Sequence, residues 1–174
     1  GGKTAINYKG VINAVGSYYH PKTVFILEDV IIEIPDREYF SGFAEIIKCG
    51  LIENNKILSF LMKYKKELKK RSIKEIFKVC ELTLKTKINF FTGDVYEKNS
   101  RLFLNFGHTF AHSIEMAIEN NMKKDIIRHG EAVGIGILSE LFYASKNKTA
   151  LYNKVKDYLL AFNLPISIDC SNIP

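Results

Sequence analysis

The chain has 174 residues, 47% of them hydrophobic, and a formal net charge of +6 at pH 7. That length supports one hydrophobic core of ordinary size, enough for one domain or a domain plus a fragment. The cysteines Cys49, Cys80 and Cys170 are scattered and odd in number, which excludes a disulfide framework and indicates a reducing compartment. No apolar run is long enough to cross a membrane and no signal-peptide pattern is present, so we expect a soluble, cytoplasmic protein.

The first predicted element is a strand at about residues 22–28. Thr23–Leu27 is a continuous apolar run rich in β-branched residues, bounded by Pro21 and an acidic pair. Such a run is typical of a buried strand. We expect it to be the last strand of an N-terminal α/β domain, of which residues 1–35 are a remnant.

Beyond Pro35 the apolar residues recur with a helical period. The predicted helices cover residues 37–52, 55–70, 72–91, 107–120, 130–146 and 149–162. Ser72 and Glu75 form a capping-box pattern at the start of the third helix. The fold class is therefore predicted to be mainly α, with residues 36–174 forming a multi-helix domain. The core of such a bundle can hold a metal site.

Basic residues are concentrated in the second predicted helix, between Lys63 and Arg71. Basic runs attract nucleic-acid backbones. However, Leu61, Tyr64 and Leu68 mark a buried side of the same helix, so a solvated helix face explains the run better. We expect no nucleic-acid partner, and the positive charge favours a small anionic substrate instead.

Three of the four histidines fall close together, in RLFLNFGHTFAH at 101–112 and HGEAVGIG at 129–136. His108 and His112 are four residues apart, so on a helix they share one face. Neutral imidazoles bind divalent metals and transfer protons. A zinc peptidase would place a glutamate after the first histidine, where this chain has Thr109. If a metal is bound, its remaining protein ligand must come from elsewhere, and a carboxylate is the expected donor.

These residues belong to an ordered series of motifs that resembles the 3-dehydroquinate synthases. The series comprises GGKTAIN at 1–7, Asn13 before Gly16, Pro35 with Arg37-Glu38, SGFAEIIKCGLI at 41–52, Lys87, Asp94 with Glu97, RLFLNFGHTFAHSIE at 101–115 and HGEAVGIGI at 129–137. It extends to about Pro165, and its order would not arise by chance. The resemblance implies the helical C-terminal domain of the dehydroquinate synthase-like fold, with a short β remnant at the N-terminus.

The resemblance also implies a metal site and a reaction. The metal ligands would be Glu45, His108 and His129, and the metal zinc, with cobalt as an alternative. Three protein ligands leave a coordination position open, as a catalytic zinc requires. The implied reaction converts 3-deoxy-D-arabino-heptulosonate 7-phosphate into 3-dehydroquinate and phosphate in the shikimate pathway, with NAD as cofactor.

Further roles follow residue by residue from the same resemblance. His112 and Glu97 would be the catalytic, proton-handling residues. The substrate-binding residues would be Lys3, Asn13, Lys48, Lys87, Arg101 and Asn105. A cofactor-contacting loop would comprise Val30, Ile31, Ile32 and Glu33, together with Lys3.

The chain contains no dinucleotide-binding glycine fingerprint, although the implied reaction needs NAD. It opens on Gly1 without a methionine and stops at Pro174 with no helix cap. We therefore expect a missing N-terminal NAD-binding domain, a chain that is inactive alone, and a homodimer when intact. Ile12 stands where the family usually has a lysine, and Val95-Tyr96 and Asn99-Ser100 also depart from its pattern, which affects cofactor affinity and local backbone.

Two further enzyme classes remain open at this point. Other sugar-phosphate cyclases use related sites to make inosose or valiolone rings. A metal-dependent polyol dehydrogenase would perform the redox step without losing phosphate.

Overall fold

The computed structural model describes residues 2–9, 11–53, 55–120 and 126–169. The chain begins with strands β1 (Lys3–Tyr8) and β2 (Val11–Tyr18), and all further regular elements of the described residues are helical. These helices are α1 (Glu28–Glu33), α2 (Asp36–Ile52), α3 (Asn55–Lys63), α4 (Lys65–Lys69), α5 (Ile73–Phe91), a 3-10 helix (Ser100–Asn105), α6 (His108–Asn120), α7 (His129–Ser145) and α8 (Ala150–Ala161). The predicted mainly α fold class is confirmed.

The N-terminal region differs from the sequence-based expectation. The strand predicted at about residues 22–28 is wrong, because residues 21–27 have no regular structure and α1 begins at Glu28. A strand needs a neighbour to satisfy its backbone groups, and the described part of the chain offers this segment none. The two strands lie earlier and form an antiparallel hairpin in which Tyr8 pairs with Val11. The predicted division of the chain at residue 35 stays a prediction.

The hairpin and the segment that follows it expose large apolar side chains. The exposed fractions are 64% for Ile6, 55% for Val15, 70% for Tyr19 and 79% for Phe25. β2 lies against α6. A two-stranded hairpin is marginally stable alone, so this contact contributes to holding it in place.

The helical boundaries agree with the predicted ones to within one or two residues, with one exception. The second predicted helix is divided at Tyr64 into α3 and α4. Ser72 precedes α5 as predicted, but its hydroxyl bonds the Glu75 carboxylate instead of capping a backbone amide. No helix among the described residues combines the length and apolar character that a membrane span needs.

Helix α7 lies at the centre of the fold. Every residue from Gly130 to Leu138 is buried, and all of them except Glu131 are glycine or apolar, as expected of a helix enclosed by others. It packs against α2, α6 and α8. The core includes Phe43 and Ile47 of α2 and Leu159 of α8, so α7 fixes the relative positions of the other long helices.

Two close approaches of α7 depend on glycine. A β-carbon on Gly130 would lie 2.0 Å from the Ser41 carbonyl oxygen, and one on Gly136 would lie 2.0 Å from the Gly107 carbonyl oxygen. Gly107 itself has a φ of +84°, a conformation that side chains with a β-carbon rarely adopt. The backbones of α2 and α6 can therefore lie directly against α7, and the start of α7 is brought close to the middle of α2.

The crossing of α2 and α7 can be tested with a matched pair of glycine substitutions. Gly130→Ala should lower the free energy of unfolding by about 1–3 kcal/mol, because the added methyl forces the two backbones apart. Gly42→Ala, one residue after Ser41, meets nothing within 4 Å and should raise it by up to about 1 kcal/mol through helix propensity. Urea denaturation measures both, and equal changes for the two variants would contradict the crossing.

Candidate metal centre

Glu45, His108 and His129 come together although 84 residues separate the first from the last. Each offers one ligand atom, and the three atoms lie within 4.8 Å of one another. Glu45 lies in the middle of α2, His108 begins α6 and His129 begins α7. One carboxylate and two imidazoles are a donor set that suits a catalytic zinc or a similar divalent metal. The residues therefore fit the group that the sequence implies.

The Glu45 carboxylate lies between two ammonium groups. Its Oε1 accepts a hydrogen bond from Lys48 at 2.7 Å, and its Oε2 accepts one from Lys87 at 3.1 Å. Burial alone would raise the pKa of Glu45, but the two lysines outweigh it and lower that pKa to about 2. The carboxylate is consequently ionised and can act as a ligand throughout the physiological pH range.

Lys48 is unusual because its side chain is only 2% exposed. Burial lowers its pKa, and the contact with Glu45 partly offsets that effect. The pKa of Lys87 is raised, since its attraction to Glu45 exceeds its desolvation cost. Both lysines were predicted to bind substrate, and the structure places both beside the metal centre.

His108 presents one ring nitrogen to this centre. Its Nδ1 lies 3.3 Å from the Phe106 carbonyl oxygen, and its Nε2 lies 3.6 Å from Glu45 Oε1. Burial and the neighbouring Lys48 charge lower the pKa of His108 to about 4. A neutral imidazole with a free lone pair is the form that binds a metal.

His129 lies at the opposite side of the centre, with its ring centroid 5.3 Å from that of His108. Its Nδ1 is 2.8 Å from Glu115 Oε1, and this contact raises the pKa of His129. His112, the predicted proton-handling residue, has its ring 5.5 Å from His108 and 6.3 Å from His129. All three histidines therefore belong to one cluster.

The hairpin closes one side of this cluster. A cavity of about 250 Å³ is lined by Asn7, Asn13, His112, Glu115 and His129. Asn13 has a φ of +55°, and its backbone amide donates to the Asn7 side chain at 2.9 Å. Asn13 thus lies next to the histidine cluster, and its predicted substrate-binding role stays a prediction.

Arg101, Glu97 and Asn105 lie around the turn between α5 and α6. Arg101 is buried, with its guanidinium 4.4 Å from the Phe91 ring centroid and a 2.5 Å hydrogen bond to the Val95 carbonyl. The Asn105 amide donates to the Glu97 carboxylate. In this structure Arg101 therefore supports its own loop, and the predicted substrate-binding role remains a prediction.

The residues predicted to contact the cofactor do not form a loop. Val30–Glu33 is the last part of α1, and the Ile31 and Ile32 carbonyls accept hydrogen bonds from Arg71. Arg71 also pairs with Asp36, at the start of α2. Glu45 is nine residues farther along that helix, about 13 Å. Lys3 lies in β1, and its side chain is outside the described residues.

The sequence motifs include three acidic residues to which no role was assigned and whose side chains support the site. Glu115 contacts His129, and Glu131 forms a two-pronged ion pair with Arg37 at 2.7–2.8 Å. Glu131 also accepts from the Arg128 amide, so it ties the start of α7 to α2. The Asp94 carboxylate accepts from three backbone amides of residues 98–101, which lower its pKa. Helical spacing could have identified Glu115, because it follows His108 by seven residues and His112 by three.

The balance of charge around Glu45 has a measurable consequence. Glu45→Gln should destabilise the metal-free chain by about 3 kcal/mol at neutral pH, because the buried Lys48 charge loses its partner. The folded pKa of Glu45 is about 2, below an unfolded value of about 4.3, so this stabilisation is present above about pH 4 and is lost as pH falls towards 2. Urea denaturation at several pH values measures it.

The matched control for that experiment is Glu53→Gln. Glu53 is exposed just after α2 and accepts one hydrogen bond from Asn89. Its substitution should change the free energy of unfolding by less than about 0.5 kcal/mol. A Glu45 variant no less stable than this control would contradict the charge balance.

Comparison with known proteins supports a common origin. Residues 42–174 match the family model described as 3-dehydroquinate synthase C-terminal, and residues 1–41 match the one described as 3-dehydroquinate synthase N-terminal. The 3-dehydroquinate synthase of Dictyoglomus thermophilum is 36% identical over 170 residues, which are 96% of this chain and 47% of that protein. The enzyme of Vesicomyosocius okutanii is 37% identical over 175 residues, 97% of this chain and 47% of that protein. The chain spans about half the length of the curated relatives it matches.

Solved structures show the same fold. A 2-epi-5-epi-valiolone synthase from Streptomyces hygroscopicus, with NAD+ and Zn2+ bound, superimposes with a TM-score of 0.83 at 24% identity and covers 97% of this chain and 47% of that one. A 2-deoxy-scyllo-inosose synthase complexed with carbaglucose-6-phosphate, NAD+ and Co2+ gives 0.72 at 26% identity, over 99% of this chain and 46% of that one. The two matched family models together cover residues 1–174, so the chain belongs to the 3-dehydroquinate synthase family.

Proposed function

We propose that this chain forms the metal- and substrate-binding part of an enzyme that converts 3-deoxy-D-arabino-heptulosonate 7-phosphate into 3-dehydroquinate and phosphate. The observation that carries the proposal is the convergence of Glu45, His108 and His129 in a chain of this family. The enzyme would be a carbon–oxygen lyase of the shikimate pathway. We place it in the cytoplasm.

Glu45, His108 and His129 would hold the metal, and we propose zinc, with cobalt as an alternative. One structural neighbour has Zn2+ bound and the other is complexed with Co2+, which supports either ion. When bound, the metal would act as a Lewis acid that orients the substrate and acidifies a coordinated hydroxyl. The low pKa of Glu45 and the unprotonated His108 suit this role, because both side chains are in ligand form at neutral pH.

The anionic groups of the substrate require cations, and Lys48 and Lys87 would supply them. Both ammonium groups lie within hydrogen-bonding distance of Glu45, so positive charge lines one side of the centre. We propose that Arg101 and Lys3 complete the cationic set, while Asn13 and Asn105 donate neutral hydrogen bonds to substrate oxygens. Arginine suits a carboxylate or phosphate because its donors form a planar fork.

His112 would transfer protons during phosphate loss and ring closure. It is close to both histidine ligands but is not one of the three converging residues. An imidazole in that position can accept a proton and return it to a different substrate atom. We propose that Glu97 assists, through its contact with Asn105.

The redox part of the reaction would need NAD, and both structural neighbours are complexes with NAD+. The chemistry that NAD would supply, when bound, is reversible hydride transfer. We propose that Lys3 and the α1 residues Val30, Ile31, Ile32 and Glu33 contact it at the edge of an N-terminal NAD-binding domain, and that the intact protein is a homodimer. We expect no nucleic-acid partner and no membrane partner.

One competing function has specific support, because a valiolone synthase and an inosose synthase are among the solved structures that superimpose on this chain. The chain would then cyclise a different sugar phosphate with the same metal and cofactor. Identity to the 3-dehydroquinate synthases, at 36–37%, is higher than to these cyclases. We therefore favour dehydroquinate formation.

The metal assignment is tested by titrating Zn2+ or Co2+ into the metal-free chain. Calorimetry should detect one site in the wild type, and Glu45→Gln, His108→Ala and His129→Ala should each abolish it or weaken it by at least about 100-fold. The control is His20→Ala, which removes the one histidine of the chain that is not in the cluster and should leave the metal affinity unchanged. Equal loss with His20→Ala would contradict the assignment.

Activity is tested by replacing the matching segment of the Dictyoglomus thermophilum relative with this chain. The chimera should release phosphate from 3-deoxy-D-arabino-heptulosonate 7-phosphate with NAD and zinc, whereas the 174-residue chain alone should not. Within the chimera, His112→Ala should keep the metal and lose turnover by about 100-fold or more, while His108→Ala should lose both.

Other outcomes would favour the alternatives. Hydride transfer without phosphate release would favour a polyol dehydrogenase. Phosphate release from glucose 6-phosphate but not from the heptulosonate would favour a cyclase of the inosose type. Turnover by the chain alone would contradict its dependence on an NAD-binding domain.

A further inference from the structure

We propose that Glu115 is a positioning residue that holds the His129 ring with its Nε2 atom directed to the metal centre. The inference rests on the proposed metal-binding function. It concerns a residue that contacts one of the three converging side chains but does not belong to the set of predicted ligands. The carrying observation is the 2.8 Å contact between His129 Nδ1 and Glu115 Oε1.

The contact determines which nitrogen of His129 carries the proton. An ionised carboxylate can only accept a hydrogen bond, so the proton of the pair must lie on Nδ1. In the neutral ring the lone pair is then on Nε2, the atom available to a metal. Hydrogen bonds from metal-binding histidines to carboxylates commonly fix the tautomer and the orientation of the ring in this way.

His129 depends on such support more than His108 does. The His108 side chain is 16% exposed and is held by the Phe106 carbonyl, whereas the His129 side chain is 50% exposed. A half-exposed ring has few packing contacts to restrict its rotation. Glu115 is itself mostly shielded, at 21% exposed, and so provides a fixed point.

Glu115 lies on the same face of α6 as the other candidate functional residues of that helix. Positions 108, 112 and 115 are separated by four and three residues, so their side chains form one stripe along the helix. The stripe would contain a ligand, a proton-handling residue and the positioning carboxylate in that order. One face of α6 therefore serves both predicted histidine ligands, because it carries His108 and contacts His129 through Glu115.

The neighbouring Glu131 has a different task, although it is closer to His129 in sequence. Its carboxylate accepts from Arg37 and from the Arg128 backbone amide, and so orients the start of α7. Glu115 contacts the imidazole ring itself. The backbone and the side chain of His129 are thus positioned by two different acids.

The test combines a tautomer measurement with metal affinity. Chain labelled with 15N-histidine is examined by long-range 1H–15N correlation at about pH 9, where neutral imidazole predominates. Metal-free wild type, Glu115→Gln and Glu115→Ala are compared, and Zn2+ and Co2+ affinities are measured by competition with a chelator. Glu140→Gln is the matched control, since it removes the same charge from α7 about 16 Å beyond His129.

The wild type should show His129 with its proton on Nδ1. Glu115→Ala should move a large part of that proton to Nε2 and weaken metal binding by about 10–100-fold. Glu115→Gln should retain much of both properties, because its amide oxygen still accepts a hydrogen bond. Glu140→Gln should match the wild type in both measurements.

Each contrary result has a distinct meaning. An unchanged tautomer in Glu115→Ala would overturn the inference, even if metal affinity fell, because the loss would then be general destabilisation. Unchanged affinity in that variant would also overturn it. A wild-type chain that binds neither metal would overturn the proposed function as well. If Glu115→Ala fails to fold, the isosteric Glu115→Gln variant decides. We expect it to keep the Nδ1 tautomer and most of the metal affinity, because its amide oxygen accepts the same hydrogen bond. A folded Glu115→Gln variant that loses both properties would overturn the inference.

Discussion

The close packing of α7 against α2 and α6 is the constraint on which the rest of the structure depends. At Gly130 and Gly136 the helix backbones touch with no side chain between them. The donor atoms at the candidate centre come from these three helices and lie within 4.8 Å, which a wider helix spacing would not permit. Packing of this kind fixes distances more firmly than side-chain rotamers can, because a shift must move whole helices.

A second constraint is electrostatic. Glu45, Lys48 and Lys87 form a charged group inside the protein, and Lys48 is almost fully buried. Burying ionised groups is costly unless each has a partner. The cost is tolerated here because a carboxylate with two oxygens can pair with two ammonium groups at once. A core made only of apolar residues would be more stable but would have no ligand in the middle of α2.

Much of the helical part could be predicted from sequence, since Phe43, Ile47 and their counterparts on the other helices repeat with a clear period. The hairpin could not, because the strand side chains that the structure describes are exposed and form no buried alternating face. The interpretation of Thr23–Leu27 was wrong, because three of its four apolar residues are exposed and the segment is not paired in a sheet. Composition alone cannot distinguish a buried strand from an exposed apolar segment.

The candidate site shows a similar division. The histidine spacing indicated a cluster and the family resemblance added Glu45, and the structure brings these residues together. The roles of Glu115 and Glu131 depend on which side chains meet across helices, which spacing along one helix only partly reveals. The interior position of Lys48 was also not evident, because a lysine three residues after an acid is usually a surface ion pair.

The ammonium pair at Glu45 has a consequence for binding order. In the metal-free chain the carboxylate satisfies Lys48 and Lys87, so an arriving dication competes with both for the same oxygens. A metal that takes over Glu45 leaves the two ammonium groups short of negative charge and ready to attract an anion. Because linkage is reciprocal, an anion held by these lysines raises metal affinity by the same factor. Metal and anionic substrate would therefore bind with positive cooperativity, and each would raise the affinity of the site for the other.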